Sequence, residues 1–143
     1  MRGSALSSVD NALTERIIGA ALAVHRTLGP GLLEGIYQKA LAAELQQIEL
    51  AVQRERVFAV QYHGVSIGEQ RLDLIVNGRV ILELKAVEAL AQVHKAQLLT
   101  YLKISGLPIG LLINFGTELI QVKRLLNTPS SSSSSLRRSV PPR

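Results

Sequence analysis

Apolar residues return at helical spacing in two stretches near the start of the chain. Ile17, Ile18, Ala20, Ala21, Leu22, Val24 and Leu28 follow Thr14 with that period, and the triplet Gly29-Pro30-Gly31 stops the run. Beyond the turn Leu33, Ile36, Tyr37, Ala40, Leu41 and Leu45 repeat at three-to-four spacing, which predicts a second helix from about Leu32 to about Gln47. The character then changes to β. Val57, Phe58, Val60 and Tyr62 precede a His63-Gly64 turn, and the segments RLDLIV and RVILELKAV flank Asn77-Gly78, a pair that tolerates the positive φ of a type I′ turn. Three antiparallel strands are expected here. A third helix carries Val93, Ala96, Gln97, Leu98, Tyr101 and Leu102 and ends near Ser105-Gly106. Pro108 leads into IGLLINF, a buried strand, and a short strand around Leu119 to Val122 closes the order αα-βββ-α-β-β.

The two ends lack such periodicity. The opening MRGSALSSVD reads as polar and loose, so residues 1–12 are set apart from the domain over residues 13–126. From Asn127 the sequence is dominated by Ser, Pro and Arg and buries too little to offset its ordering entropy, so residues 127–143 are expected to be a disordered tail. At 143 residues and 47% hydrophobic content the chain suits one domain with a real core.

Charge changes the picture less than the pI near 10 suggests. Three of the 16 basic residues, Arg137, Arg138 and Arg143, lie in the tail, and no acidic residue does. Residues 1–136 therefore carry 13 basic against 11 acidic groups, a net of +2, and the domain itself is nearly balanced. The absence of cysteine removes disulfides and thiolate metal sites, so any metal must take oxygen or imidazole ligands. Apolar stretches are broken by charges well before the roughly 20 residues that a membrane span requires, and the start lacks a signal pattern. A cytoplasmic protein with no membrane association is the expectation.

Candidate chemistry lies on the second hairpin. Alternation along RLDLIV sends Leu72, Leu74 and Val76 to one face and Arg71, Asp73 and Ile75 to the other, and along VILELKAV it groups Ile81, Glu83 and Lys85. A two-residue turn at Asn77-Gly78 sets Asp73 roughly opposite residue 82, so Asp73 and Glu83 come from neighbouring positions on adjacent strands. Carboxylates are natural ligands for hard cations such as Mg²⁺, and a lysine two residues on can hold a phosphate or stabilise an attacking hydroxide. On spacing alone, a structural Glu83–Lys85 ion pair explains the pattern equally well.

The rest of the chain tips that balance through a resemblance. Gly31, Glu34 and Tyr37 within LGPGLLEGIY follow a helix reading IIGAALAVH, and RLDLIV, VILELKAVE and the run His94, Ala96, Gln97, Leu98, Tyr101, Leu102 come after them in order. From about Leu13 to about Leu125 this resembles the bacterial family named for its G-x-x-E-x-x-Y motif, which is similar to PD-(D/E)XK nucleases. The resemblance implies a restriction-endonuclease-like α/β (α+β) core, a central mixed β-sheet flanked by helices. It implies that Asp73 and Glu83 bind Mg²⁺ or Mn²⁺, that Lys85 assists the nucleophile or phosphate, and that Glu34 reaches the site as an early acidic residue and further ligand. Gln97 and Tyr101 match the Q-x-x-x-Y element of the exonuclease-like branch, and their i, i+4 spacing shares one helix face. The proline of the superfamily's name has no counterpart, since Leu72 precedes Asp73.

Each role has a plainer rival. Glu34 near a helix start also complements the helix dipole. Tyr37 suits a core position with its hydroxyl bonded. His94 at a helix start suits the surface or a supporting position, His25 and His63 show no ligand spacing, and Gly31 serves the turn. A Mg²⁺- or Mn²⁺-dependent nuclease acting on DNA is the expected function. The alternatives are a non-catalytic nucleic-acid- or protein-binding module on the same fold and a self-associating accessory protein. Small size makes a homodimer a further expectation.

Overall fold

The computed structural model describes residues 7–127. Two helices come first, α1 (Ser8–Leu28) and α2 (Glu34–Gln47), followed by strands β1 (Val52–Tyr62), β2 (Val65–Val76) and β3 (Val80–Lys85). Helix α3 (Gln92–Ser105) then crosses to β4 (Ile109–Asn114), and β5 (Gln121–Leu126) ends the domain. The five strands form one sheet in sequence order, antiparallel except for the parallel β3–β4 pair that α3 connects. This is the mixed α/β architecture expected, with the last strand at Gln121–Leu126 rather than around Leu119 to Val122.

Both sheet faces are covered. Ile17, Ala21, Val24, Tyr37, Leu41 and Leu45 of α1 and α2 pack on Leu74, Val80, Leu82, Leu84, Leu111 and Ile113. On the opposite face Leu98 and Leu102 of α3 pack on Ile75, Ile81 and Leu112. Gly110 permits this second contact, because a Cβ there would meet the Leu98 side chain at 2.9 Å. Burial on both faces explains why β3 and β4 read as continuous apolar runs.

The segment read as loose over residues 1–12 is helical from Ser8 onward. The Ser7 hydroxyl caps α1 by accepting the Asp10 N–H at 3.0 Å, and Asp10 is buried in a two-point contact with Arg79. Those polar partners lie far apart in sequence, so periodicity could not register them. The domain also reaches one residue past its expected end. Asn127 donates its side-chain amide to the carbonyls of Leu102 and Leu107, both at 2.9 Å. The expected disorder of the remaining tail, 128–143, falls outside the described residues.

Tyr37 fixes the sharp turn between α1 and α2. Its hydroxyl donates to the Gly29 carbonyl and accepts the Leu32 N–H at 3.1 Å, while its ring stacks on Phe115 with centroids 4.6 Å apart. Glycine is required at positions 29 and 31, where φ is 70° and 109°. Only Leu74–Val76 of β2 pair with β3, so the outer part of the β1–β2 hairpin extends as a two-stranded arm. Phe58 anchors that arm on the α3 side, with the Arg56 guanidinium over its ring at 4.6 Å.

Candidate functional site

The turn between β2 and β3 has three residues rather than two. Asn77 and Gly78 hold positive φ of 53° and 63° as expected, but Val76 pairs with Val80, leaving Arg79 in the turn as well. Arg79 donates its N–H to the Val76 carbonyl at 3.0 Å, and its guanidinium grips both oxygens of Asp10 at 2.8 and 2.9 Å. The extra residue moves the register by one from the expected pairing. Leu74 faces Leu82, which carries Asp73 to the level of Glu83 instead of residue 82.

Beyond Leu74 the two strands part, and the Asp73 side chain fills the separation. Its Oδ2 accepts the backbone N–H of Leu84 at 2.9 Å. Strict alternation fails at this point. Leu72, expected on the face of Leu74, joins Ile75 in the cluster under α3. A carboxylate spent on a neighbouring strand's amide is a side chain lying between strands, which a period-two pattern cannot represent.

Glu83, at the level of Asp73 on β3, is 7% exposed, with its Oε1 buried and without a hydrogen-bond partner. Burial above all, and then the Asp73 carboxyl, push its pKa up to about 8, while the Lys85 ammonium pulls it back and Glu34 adds to the rise. Burial likewise raises Asp73, opposed chiefly by the Leu84 N–H and the Lys85 charge. Tyr101 on α3 is raised by burial first and then by the charges of Glu83 and Asp73. Glu83, Asp73, Lys85 and Tyr101 therefore share one electrostatic environment.

The remaining expected residues stand further out. Glu34 opens α2, is exposed, and acts on Glu83 through its charge. Among the described residues no three Asp, Glu or His side chains close into a ready-made ligand cluster, so Glu34 does not complete a ligand set with Asp73 and Glu83 in this conformation. Gln97 is half-buried one turn before Tyr101. His94 accepts the Ala91 N–H at 3.0 Å through Nδ1 and caps α3. Behind Lys85, buried Asn114 ties the chain down by accepting the Val87 N–H and donating to the Val87 carbonyl, both at 3.0 Å.

One residue escaped the sequence pattern altogether. Gln38 is buried on α2 and accepts from Arg54 Nε at 3.2 Å, which joins α2 to β1. Its position four residues after Glu34, on the same helix face, was the available signal.

The donor set suits a hard divalent cation. Two adjacent carboxylates, one with an orphaned buried oxygen whose charge is disfavoured by burial, are groups that such a cation satisfies, and Mg²⁺ commonly takes only one or two carboxylates besides water and phosphate oxygens. Asp73 and Glu83 are the residues that fit this role.

Comparison with known proteins agrees with the fold. Residues 11–125 match the family model described as the PD-(D/E)XK nuclease superfamily. The crystal structure of SSO0001 is similar with a TM-score of 0.53 at 18% identity, covering 74% of this chain and 56% of that one. The chain thus spans just over half the length of that protein, and the likeness concerns the fold alone. No curated protein matches the sequence. No helix among the described residues is long and apolar enough to cross a membrane.

Proposed function

The chain belongs to the PD-(D/E)XK nuclease superfamily, and on that premise we propose that it is a Mg²⁺- or Mn²⁺-dependent nuclease that hydrolyses DNA phosphodiester bonds. Within the superfamily we assign it to the G-x-x-E-x-x-Y group on Gly31, Glu34 and Tyr37. The observation that carries this proposal is Glu83, a buried carboxylate with an unpartnered oxygen beside Asp73 and two residues before Lys85. A structural ion pair does not account for it, because neither Glu83 nor Asp73 forms a salt bridge among the described residues.

Asp73 and Glu83 hold the cation in this scheme. When bound, it supplies Lewis-acid polarisation of the scissile phosphate. Lys85 meets a phosphate oxygen or the incoming hydroxide with its positive charge, a fixed donor in a partly desolvated site. The Gln97 amide and the Tyr101 hydroxyl, on one face of α3, orient the nucleic-acid backbone or the lysine. Glu34, exposed at the start of α2, adds its negative charge to the field at Glu83.

The test is incubation of the purified protein with plasmid and single-stranded DNA in Mg²⁺ or Mn²⁺, beside Asp73→Ala and Glu83→Gln. Cleavage by the wild type alone supports the proposal. Folded wild-type protein that binds neither metal by calorimetry and cuts no nucleic acid overturns it and leaves a binding module as the function.

A further inference from the structure

Asn114 is fully buried where β4 ends, and its register partners on the neighbouring strands are Lys85 of β3 and Gln121 of β5. Its amide oxygen can accept two hydrogen bonds and its nitrogen can donate two, and all of these are made. Oδ1 accepts the N–H groups of Val87 and Gly116, both at 3.0 Å. Nδ2 donates to the Val87 carbonyl at 3.0 Å and to Gln121 Oε1 at 2.9 Å. Backbone N–H groups only donate and a backbone carbonyl only accepts, so these partners admit a single orientation of the amide. One side chain thus binds both polar backbone groups of Val87. A second contact closes on the same residue, because a Cβ at Gly116 would come within 2.5 Å of the Val87 N and O atoms.

Val87 lies two residues beyond Lys85, in the bend that follows the end of β3. Strand ends open readily when nothing holds the chain that leaves them. Here the Lys85 carbonyl accepts the Phe115 N–H at 2.8 Å, and the Asn114 amide secures the chain two residues further on. We infer that Asn114 is a positioning residue for Lys85, fixing the end of β3 and with it the point from which the lysine reaches substrate phosphate. This role rests on the phosphate contact proposed for Lys85, and Asn114 itself touches neither substrate nor cation. A lysine ammonium rides on a long flexible stem, so its placement depends on a fixed backbone beneath it. A displacement of about 1 Å at a reacting centre can cost about a hundred-fold in rate.

Single-turnover cleavage in a double-mutant cycle with Lys85→Ala tests this role on the full chain. Asn114→Ala is expected to slow cleavage by up to about a hundred-fold with little change in Mn²⁺ affinity, because Asp73 and Glu83 are left intact. In the Lys85→Ala protein the same substitution should add almost nothing. Losses that simply multiply overturn the role, since a general structural defect acts whether or not the lysine is present. Gly116→Ala presses on Val87 while keeping Asn114, so it should give the same non-additive loss, and it decides the matter if Asn114→Ala does not fold. A second readout, amide exchange followed by NMR, needs neither substrate nor cation. In the wild type the Val87 N–H should exchange slowly although it lies outside any strand. In either variant the Phe115 N–H should exchange about ten-fold faster or more, relative to the amide of Ala21 within α1. A Val87 amide that exchanges like an open loop, or a Phe115 amide that only follows Ala21, refutes the hold on β3. A wild type that cuts no nucleic acid but shows both amide responses refutes the proposed function while sustaining that hold.

Discussion

The carboxylate of Asp73 accepts the backbone N–H of Leu84 at 2.9 Å, at the point where β2 leaves β3. One side chain thereby does two jobs, closing a gap in the sheet and facing the buried Glu83. Asp73→Ala is expected to leave the Leu84 N–H without its partner and to lower stability by about 1–3 kcal/mol. Asp73→Asn retains an acceptor and should stay within about 1 kcal/mol of wild type while losing metal affinity. Urea unfolding paired with Mn²⁺ calorimetry separates the two effects, and equal stability losses in both variants would show that the hydrogen bond to Leu84 is not the structural element.

Glu83 makes stability depend on pH in an unusual direction. Its carboxyl is raised from 4.5 to about 8 by burial and by Asp73, so the folded protein keeps a proton that the unfolded chain releases. The Glu83 contribution to stability is therefore full below about pH 4.5 and falls as pH rises toward 8, by up to about 1.4 kcal/mol per unit. The raised Asp73 carboxyl acts in the same direction. Denaturant unfolding at pH 5, 6.5 and 8 measures the slope, which Glu83→Gln should flatten. Mg²⁺ should raise the melting temperature more at pH 8 than at pH 5, because ionised carboxylates are its ligands.

Lys85→Ala should reduce the cleavage rate by about a hundred- to a thousand-fold, the usual loss when one charge-stabilising group is removed, with a smaller change in Mn²⁺ affinity. Gln97→Ala should cost less than Lys85→Ala. Single-turnover cleavage beside calorimetry tests the pair of variants. A Lys85→Ala protein that cuts at the wild-type rate removes the lysine from the mechanism.

Tyr37→Phe keeps the stack on Phe115 but loses the hydroxyl that joins the Gly29 carbonyl to the Leu32 N–H. A loss of about 1–2 kcal/mol is expected from two hydrogen bonds in a closed turn. Because this turn sets the start of α2, where Glu34 lies, cleavage should fall more than Mn²⁺ affinity. Thermal unfolding and activity measured on the same preparation decide it.

The Asp10–Arg79 contact ties α1 to the turn that registers Asp73 with Glu83. The hydrogen bond from Arg79, more than any other influence, holds Asp10 below its ordinary 3.8, so the stabilisation is present above that value and is lost as pH falls below it. Arg79 is 48% exposed at its side chain, and solvent screening limits the expected cost of Arg79→Met to about 1 kcal/mol at neutral pH. Deletion of residues 1–10, by contrast, should cost more, since it also removes the capped first turn of α1. Chemical unfolding at pH 7 and pH 3 gives both numbers.

Local rules alone determined the element order, because helix period, strand period and the Gly-Pro and Asn-Gly turns act over a few residues. They also marked Asp73, Glu83 and Lys85 as polar intrusions in apolar strands. Tertiary structure decided the rest. The register depended on whether Arg79 belonged to the turn, which Asp10 settles from 69 residues away. The face of Leu72 depended on Asp73 leaving the alternating pattern to reach Leu84. Gln38 met Arg54 only when α2 packed against the sheet, and Glu34, although aligned with the same helix face, remained at the surface. A polar residue's partner is fixed by long-range packing and by the cost of leaving it unpaired, and neither quantity is written in its local sequence.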